Sequence, residues 1–265
     1  MRQVAAIACL LALLASGSTA AEKDVDRPYD KGGPLAWWTF DEGAGTQAAD
    51  SSGNGLTSTL KSLYGNPESR WRADGQLGSA LDFTDGYWVE MPKDARLAIA
   101  DRISISAWVQ ASSPGENSFM RIVSKKETSE SASGYELVYN LSSGVLDLLG
   151  GGADFARAEG IWIGDGAWHH VAATANGTQA RIYVDGVDRT TDGIIGRITA
   201  GPTRLEIGRR TGTLFTWWYR SIDDLRLFDR TLTADDVRYL FNDGKEKKAK
   251  KPKQEKKPNP PVGKG

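Results

Sequence analysis

Thiol chemistry is almost absent from this chain. Its one cysteine, Cys9, lies inside the apolar run Val4 to Ala15 near the start, so the rest of the chain can build neither a disulfide framework nor a thiolate site. Histidine is nearly as scarce. The two present, His169 and His170, are adjacent, and neighbours on a strand point to opposite faces, so the pair cannot chelate one metal. No serine joins them in a recognisable triad motif. No apolar run reaches the roughly 20 residues of a bilayer-spanning helix. Helical periodicity is missing from most of the chain, which excludes a helical bundle.

What is present divides the chain into four parts. Arg2, the apolar run and the small residues up to Ala21 read as a signal peptide over 1–21, so the mature chain is expected to be exported to the periplasm, cell envelope or extracellular space, with no transmembrane segment. Residues 22–34, charged and with Gly32-Gly33, read as a flexible leading segment. A folded domain is expected over 35–244. Residues 245–265, rich in Lys and Pro, have almost nothing to bury and read as a disordered tail. The net charge of −1 hides an asymmetry: the tail carries nine Lys against two Glu, so with Arg2 set aside the body holds about −9. An acidic body is the wrong footprint for a nucleic-acid-binding domain.

Within the domain, short alternating segments recur between turn signals: Leu35 to Phe40, Leu56 to Leu60, Ala80 to Phe83, Tyr87 to Glu90, Ile103 to Gln110, Arg121 to Lys125, Tyr135 to Leu141, Val145 to Leu149, Arg204 to Gly208 and Ser221 to Phe228. The clearest is a hairpin in Asp165 to Val187, where Asn176-Gly177 separates two alternating runs. The stretch Asp41 to Gly55, full of Gly, Asp, Ser and Asn, is expected to be irregular loop. Thr233, with Asp236 three residues on, opens one helix that Asn242-Asp243-Gly244 is expected to stop. The pattern predicts an all-β chain, an antiparallel two-sheet β-sandwich with one short C-terminal helix.

LAWWTFDEGAGTQAADSSGNG at 35–55, LGSALDFTDGYWVEMP at 77–92, ISISAWVQ at 103–110, DGAWHHVAAT at 165–174, RIYVDGV at 181–187, LEIGR at 205–209 and SIDDLRLFDRTLTADDV at 221–237 together resemble a laminin-G-like jelly-roll domain of the concanavalin A-like lectin/glucanase superfamily. The resemblance covers nearly the whole domain and implies the jelly roll; function is left open, because one fold hosts lectins, adhesion modules and glycosidases. Two departures stand out. Arg220 follows Thr216 to Tyr219 where the family usually has Gly shortly before Ile-Asp-Asp, and Gly150 to Asp165 has no strong family pattern.

The Glu-x-Asp-x-x-Glu strand pattern of related glucanases is missing, since the one Glu-x-Asp is Glu22-Lys23-Asp24. The strand carboxylates Glu90, Glu136, Asp147 and Glu206 are isolated in sequence, so no catalytic residue is assigned and a non-enzymatic chain is expected. A secreted glycosidase-like enzyme would need two strands to bring such a pair together. His170, facing with Trp168 and Ala172, is expected to be a hydrogen-bonded core residue. A structural calcium is the one cofactor considered: Asp41, Asp50, Asn54 and Asp224 supply hard oxygens, and the resemblance implies that the first and last strands are neighbours. Against it, Asp50 to Asn54 can be a turn that bonds its own backbone. For a binding surface, three consecutive rings cannot all face inward from one strand, so Trp217, Trp218 and Tyr219 are expected at the surface with Arg209 and Arg210 beside them, and Trp162 as a further member; otherwise the rings cap the edge of the sandwich. The expected partner is a glycan or an extracellular protein, with an anionic envelope polymer for the basic tail. A structural or adhesion role in the envelope is the third reading.

Overall fold

In a computed structural model the structure describes residues 32–112, 119–151, 155–193, 198–213 and 216–250. The expected signal peptide, most of the leading segment and the end of the tail lie outside them. Two antiparallel sheets of eight strands each form a sandwich. The first has the order β14 (Val187–Asp188), β13 (Ala180–Val184), β12 (Trp168–Ala175), β7 (Ile103–Gln110), β16 (Ser221–Phe228), β5 (Ala80–Asp82) and β4 (Trp71–Arg72), with β1 (Ala36–Trp38) also paired to β16. The second runs β11 (Phe155–Ala158), β10 (Val145–Leu149), β9 (Glu136–Asn140), β8 (Phe119–Ser124), β15 (Glu206–Ile207), β6 (Tyr87–Glu90), β3 (Ser58–Ser62) and β2 (Gln47–Ala48).

Alternation places the core. Ile103, Ile105, Ala107 and Val109 of β7, Val171 and Ala173 of β12, Leu137 and Tyr139 of β9 and Leu146 and Leu148 of β10 all join one buried cluster between the sheets, as period-two apolar residues should. The hairpin forms as expected: Asn176 accepts the amides of Thr178 and Gln179 at its Oδ1 (3.0 and 2.8 Å), and Gly177 takes φ +90. β12 is interior, while β13 lies one strand from the sheet edge. The loop expected to be wholly irregular contains β2, which pairs with β3; a two-residue strand is set by its partner and leaves no periodic trace.

β16 carries a bulge. Its register to β7 shifts between Asp223 and Arg226, and Asp224 takes φ +50. The extra residue lets Ile222, Leu225 and Leu227 all reach the core, as one inserted residue resets the alternation.

The helix α1 (Ala234–Lys250) opens with a reciprocal capping box: Thr233 N donates to Asp236 Oδ2 (2.8 Å), and Asp236 N donates to Thr233 Oγ1 (3.1 Å). It packs Val237 and Leu240 on Ala172, Tyr183 and Phe228 of the first sheet. The expected stop at Gly244 is corrected, because the helix continues to Lys250. Gly244 serves close approach: a Cβ there would lie 2.7 Å from Trp108 Cε2. The helix thus runs from the end of the sandwich where β7 begins toward the end where β7 finishes, and Phe241 stacks on Trp108 at 5.7 Å.

Candidate functional site: an aromatic rim

Strands β3, β5, β7, β9 and β15 all finish at one end of the sandwich, the end toward which α1 points. The large apolar side chains exposed among the described residues are Leu63, Tyr64, Phe119, Trp162 and Val187. All five belong to this end. Tyr64 (67 % exposed) follows β3, Phe119 (49 %) opens β8, and Trp162 (65 %) lies beside the β9–β10 turn. The backbone under these rings is fixed. Tyr87 Oη and Ser62 Oγ donate to the Tyr64 carbonyl at 2.7 Å each. Ile161 N donates to the Gly144 carbonyl (2.8 Å), and Tyr139 Oη donates to the Ile161 carbonyl (2.8 Å). Phe119 pairs across from Asn140, and its carbonyl accepts from Arg121 Nη1 (3.1 Å).

The expected surface at Trp217 to Tyr219 is corrected. Trp217 is 5 % exposed, Trp218 is fully buried and Tyr219 is half-buried against the core. The premise of a strand failed: 216–220 is irregular, so consecutive rings need not alternate. Trp218 donates its Nε1–H to the carbonyls of Gln110 (3.0 Å) and Ser221 (3.2 Å) and plugs the sandwich end. Arg209 and Arg210 are also engaged. Arg209 forks onto Glu206 (2.8 and 3.1 Å) and stacks 3.5 Å over the Trp88 ring. Arg210 forks onto the buried Glu136 (2.7 and 2.5 Å). Of the six residues expected to bind, Trp162 alone is an exposed ring. Phe119 and Tyr64 were missed; a lone aromatic in a loop carries no sequence signal that separates an exposed ring from a buried one.

Between the rim and the far end, the outer face of the second sheet brings together carboxylates that are isolated in sequence. Glu206 lies directly opposite Glu90, and each holds an arginine: Glu90 pairs Arg204, Glu206 pairs Arg209, and Asp147 pairs Arg157 at 2.9 Å. Glu136 is fully buried, bonded by Arg121 (3.1 Å), Arg210 and Ser124 Oγ (2.7 Å). Burial works to raise its carboxyl, but the Arg210 hydrogen bonds and the charges of Arg121 and Arg210 hold it below the ordinary range.

The two histidines differ as their opposite facing implies. His170, buried under α1, bonds Ser106 Oγ through Nε2 (2.9 Å), and desolvation pulls its pKa down to about 3. His169 meets Asp185 through Nδ1 (2.9 Å) and Asp165 through Nε2 (3.3 Å); the Asp185 hydrogen bond leads in raising its pKa.

The oxygens considered for calcium are largely engaged elsewhere. Asp50 accepts the amides of Trp37, Ser52 and Leu56 at 2.8–3.1 Å, which is the self-bonded turn. Asn54 donates to the carbonyls of Pro34 and Leu35. Asp224 accepts from Trp37 Nε1 (2.6 Å) and pairs with Arg226 (2.9 Å). No group of three or more His, Cys, Asp or Glu among the described residues could hold a metal. A different pair remains. Asp41 Oδ1 accepts from Ser79 N (2.7 Å), and the fully buried Asp223 takes Leu77 N at Oδ2 (2.7 Å) while its Oδ1 has no partner. The segment 75–79 lies across both, and a Cβ at Gly78 would stand 2.8 Å from Asp41 Cγ. Two carboxylates are oxygen donors of the kind calcium takes.

Residues 83–238 match the model of Laminin_G_3, described as the concanavalin A-like lectin/glucanases superfamily. The chain belongs to this family. Among solved structures, this laminin-G-like chain is similar to Domain 4 of AbnA, a GH43 extracellular arabinanase from Geobacillus stearothermophilus, in complex with arabinotriose: 20 % identity and TM-score 0.59 over 78 % of this chain and 98 % of that one. The binding domain of Paraclostridial Mosquitocidal Protein 1 gives 14 % and 0.60 over 80 % of this chain and 52 % of that one. A Trypanosoma rangeli sialidase gives 15 % and 0.55 over 79 % and 32 %. At these identities the likeness shows the fold, and the laminin-G-like chain spans about half of the mosquitocidal domain and a third of the sialidase. No curated protein sequence matches it. No helix among the described residues is long and apolar enough to cross a membrane.

Proposed function

We propose that this is an exported recognition module without catalytic activity, which binds a glycan through the rim that carries Tyr64, Phe119 and Trp162. One observation carries the reading: among the described residues, every large exposed apolar side chain belongs to one end of a sandwich that buries or half-buries its other tryptophans. Exposed rings on fixed backbone suit the C–H faces of sugars. The similar domain solved with arabinotriose supports a sugar ligand. Among the carboxylate–arginine pairs, Glu136 is shifted below its ordinary range, opposite to the raised pKa a general acid needs. A calcium ion held by Asp41 and Asp223 would serve as a structural tie between the end of the first strand and the last.

A glycan array probed with the full chain and with Trp162→Ala, Tyr64→Ala and Phe119→Ala tests the reading. Binding without turnover is expected, and each substitution should weaken it by about 1 kcal/mol or more at an unchanged melting temperature. Full binding by the triple variant, or release of reducing sugar, would sink it.

A further inference from the structure

At the end of the sandwich opposite the rim, a cavity of about 530 Å³ opens between the turn at 92–98 and the segment 201–205. Pro92, Leu97, Pro202 and Leu205 give it apolar walls, and Lys93 and Lys125 line it with charge. Its size falls within the range of small-molecule sites.

The charges do not balance. Arg204, at the cavity edge, is paired with Glu90, and Asp94 is held through both oxygens by Arg96 (2.9 and 2.7 Å). Neither Lys93 nor Lys125 has a carboxylate partner among the described residues. Lys125 is 6 % exposed, and its ammonium donates to one acceptor, the Thr203 carbonyl. An ammonium has three donors, and a buried cation without a counter-charge is costly. Desolvation accordingly pulls Lys125 below the ordinary lysine range. A helix dipole or a carboxylate would relieve this; the structure offers an open, ligand-sized space instead.

We propose that this cavity binds a small organic anion, with Lys125 and Lys93 holding its charged group and the proline and leucine walls taking its carbon frame. The site is separate from the rim, so either can fail alone.

Isothermal titration of the full chain with glucuronate, glucose 6-sulfate and glucose tests it. At least one of the two anions should bind at least about tenfold more tightly than glucose, as one charge-assisted hydrogen bond implies, and the two anionic arms tell carboxylate from sulfate. Affinity should fall with added salt. Lys125→Met should lose about tenfold in affinity, and its melting temperature should hold or rise because an unpaired buried charge is gone. Lys93→Ala, at an exposed position, should lose several-fold and guards against misfolding of the first variant. Trp162→Ala should bind the anion as the parent does. The proposal is overturned if glucose binds as well as both anions, if neither anion binds up to roughly 50 mM, or if Lys93→Ala keeps full affinity.

Discussion

His170 should make the domain lose stability on mild acidification. Folded, it stays neutral down to about 3, because it is buried between Trp108 and Phe241 (ring centroids 5.3 and 6.0 Å). Unfolded, an imidazole takes its proton near pH 6.5. Between those values the unfolded state binds more protons, so stability falls as the pH drops below about 6.5. From pH 7 to pH 5 the loss is about 1.5 pH units at 1.36 kcal/mol each, or ~2 kcal/mol. His169 opposes this: its raised pKa contributes stability that is present below pH 6.5 and lost as pH rises through its folded value. Carboxylates held low in the fold add their own loss at acid pH, so the His170 share must be isolated by difference. Urea midpoints at pH 7, 6 and 5 should therefore be compared between the parent and His170→Gln, which keeps a partner for Ser106 and removes the titration. The gap between the two should close by about 2 kcal/mol toward pH 5. Parallel pH dependence in the two proteins, or a His170 imidazole resonance with its midpoint near 6.5, would refute the reasoning.

Three further outcomes are expected. Glu136→Gln leaves the buried Arg121 and Arg210 without their counter-charge and should cost about 3–5 kcal/mol by denaturant unfolding; a loss below 1 kcal/mol would mean that water reaches both guanidinium groups. Arg220 holds φ +110, so Arg220→Gly should relieve about 1–3 kcal/mol of strain against roughly 0.5–1 kcal/mol of added chain entropy, and a lower melting temperature would show that the arginine is held by contacts worth more. Calcium should raise the melting temperature of the parent over a chelated sample and leave Asp223→Asn unmoved; equal melts of the parent with and without calcium would remove the ion from the picture.

Much of the fold was legible because buried strands write alternation into sequence. Tyr87–Glu90, Ile103–Gln110, Val145–Leu149 and Ser221–Phe228 have the bounds read from pattern alone. β2, β4 and β11 were missed because Gln47–Ala48 and Trp71–Arg72 are too short for a period and Phe155–Ala158 follows a glycine run; their partners define them. The candidate site was less legible. Nothing in Trp217-Trp218-Tyr219 tells that the segment is irregular, and the ladder from Glu90 through Glu206 to Glu136 depends on strand order, which sequence separation hides. Arg220 was the informative departure: where the resemblance implies glycine, an arginine holds a positive φ that favours glycine.

The direction of α1 has a consequence for how the molecule can be displayed. Because Gly244 lets the helix lie against Trp108 and continue to Lys250, the chain leaves the domain at the pole that carries the exposed rings. Anything joined there, whether a natural anchorage for the lysines that follow or a purification tag, would start from the same end of the sandwich as the rim. A domain moored by that end would face its mooring, and its reach would be limited to whatever coats the same surface.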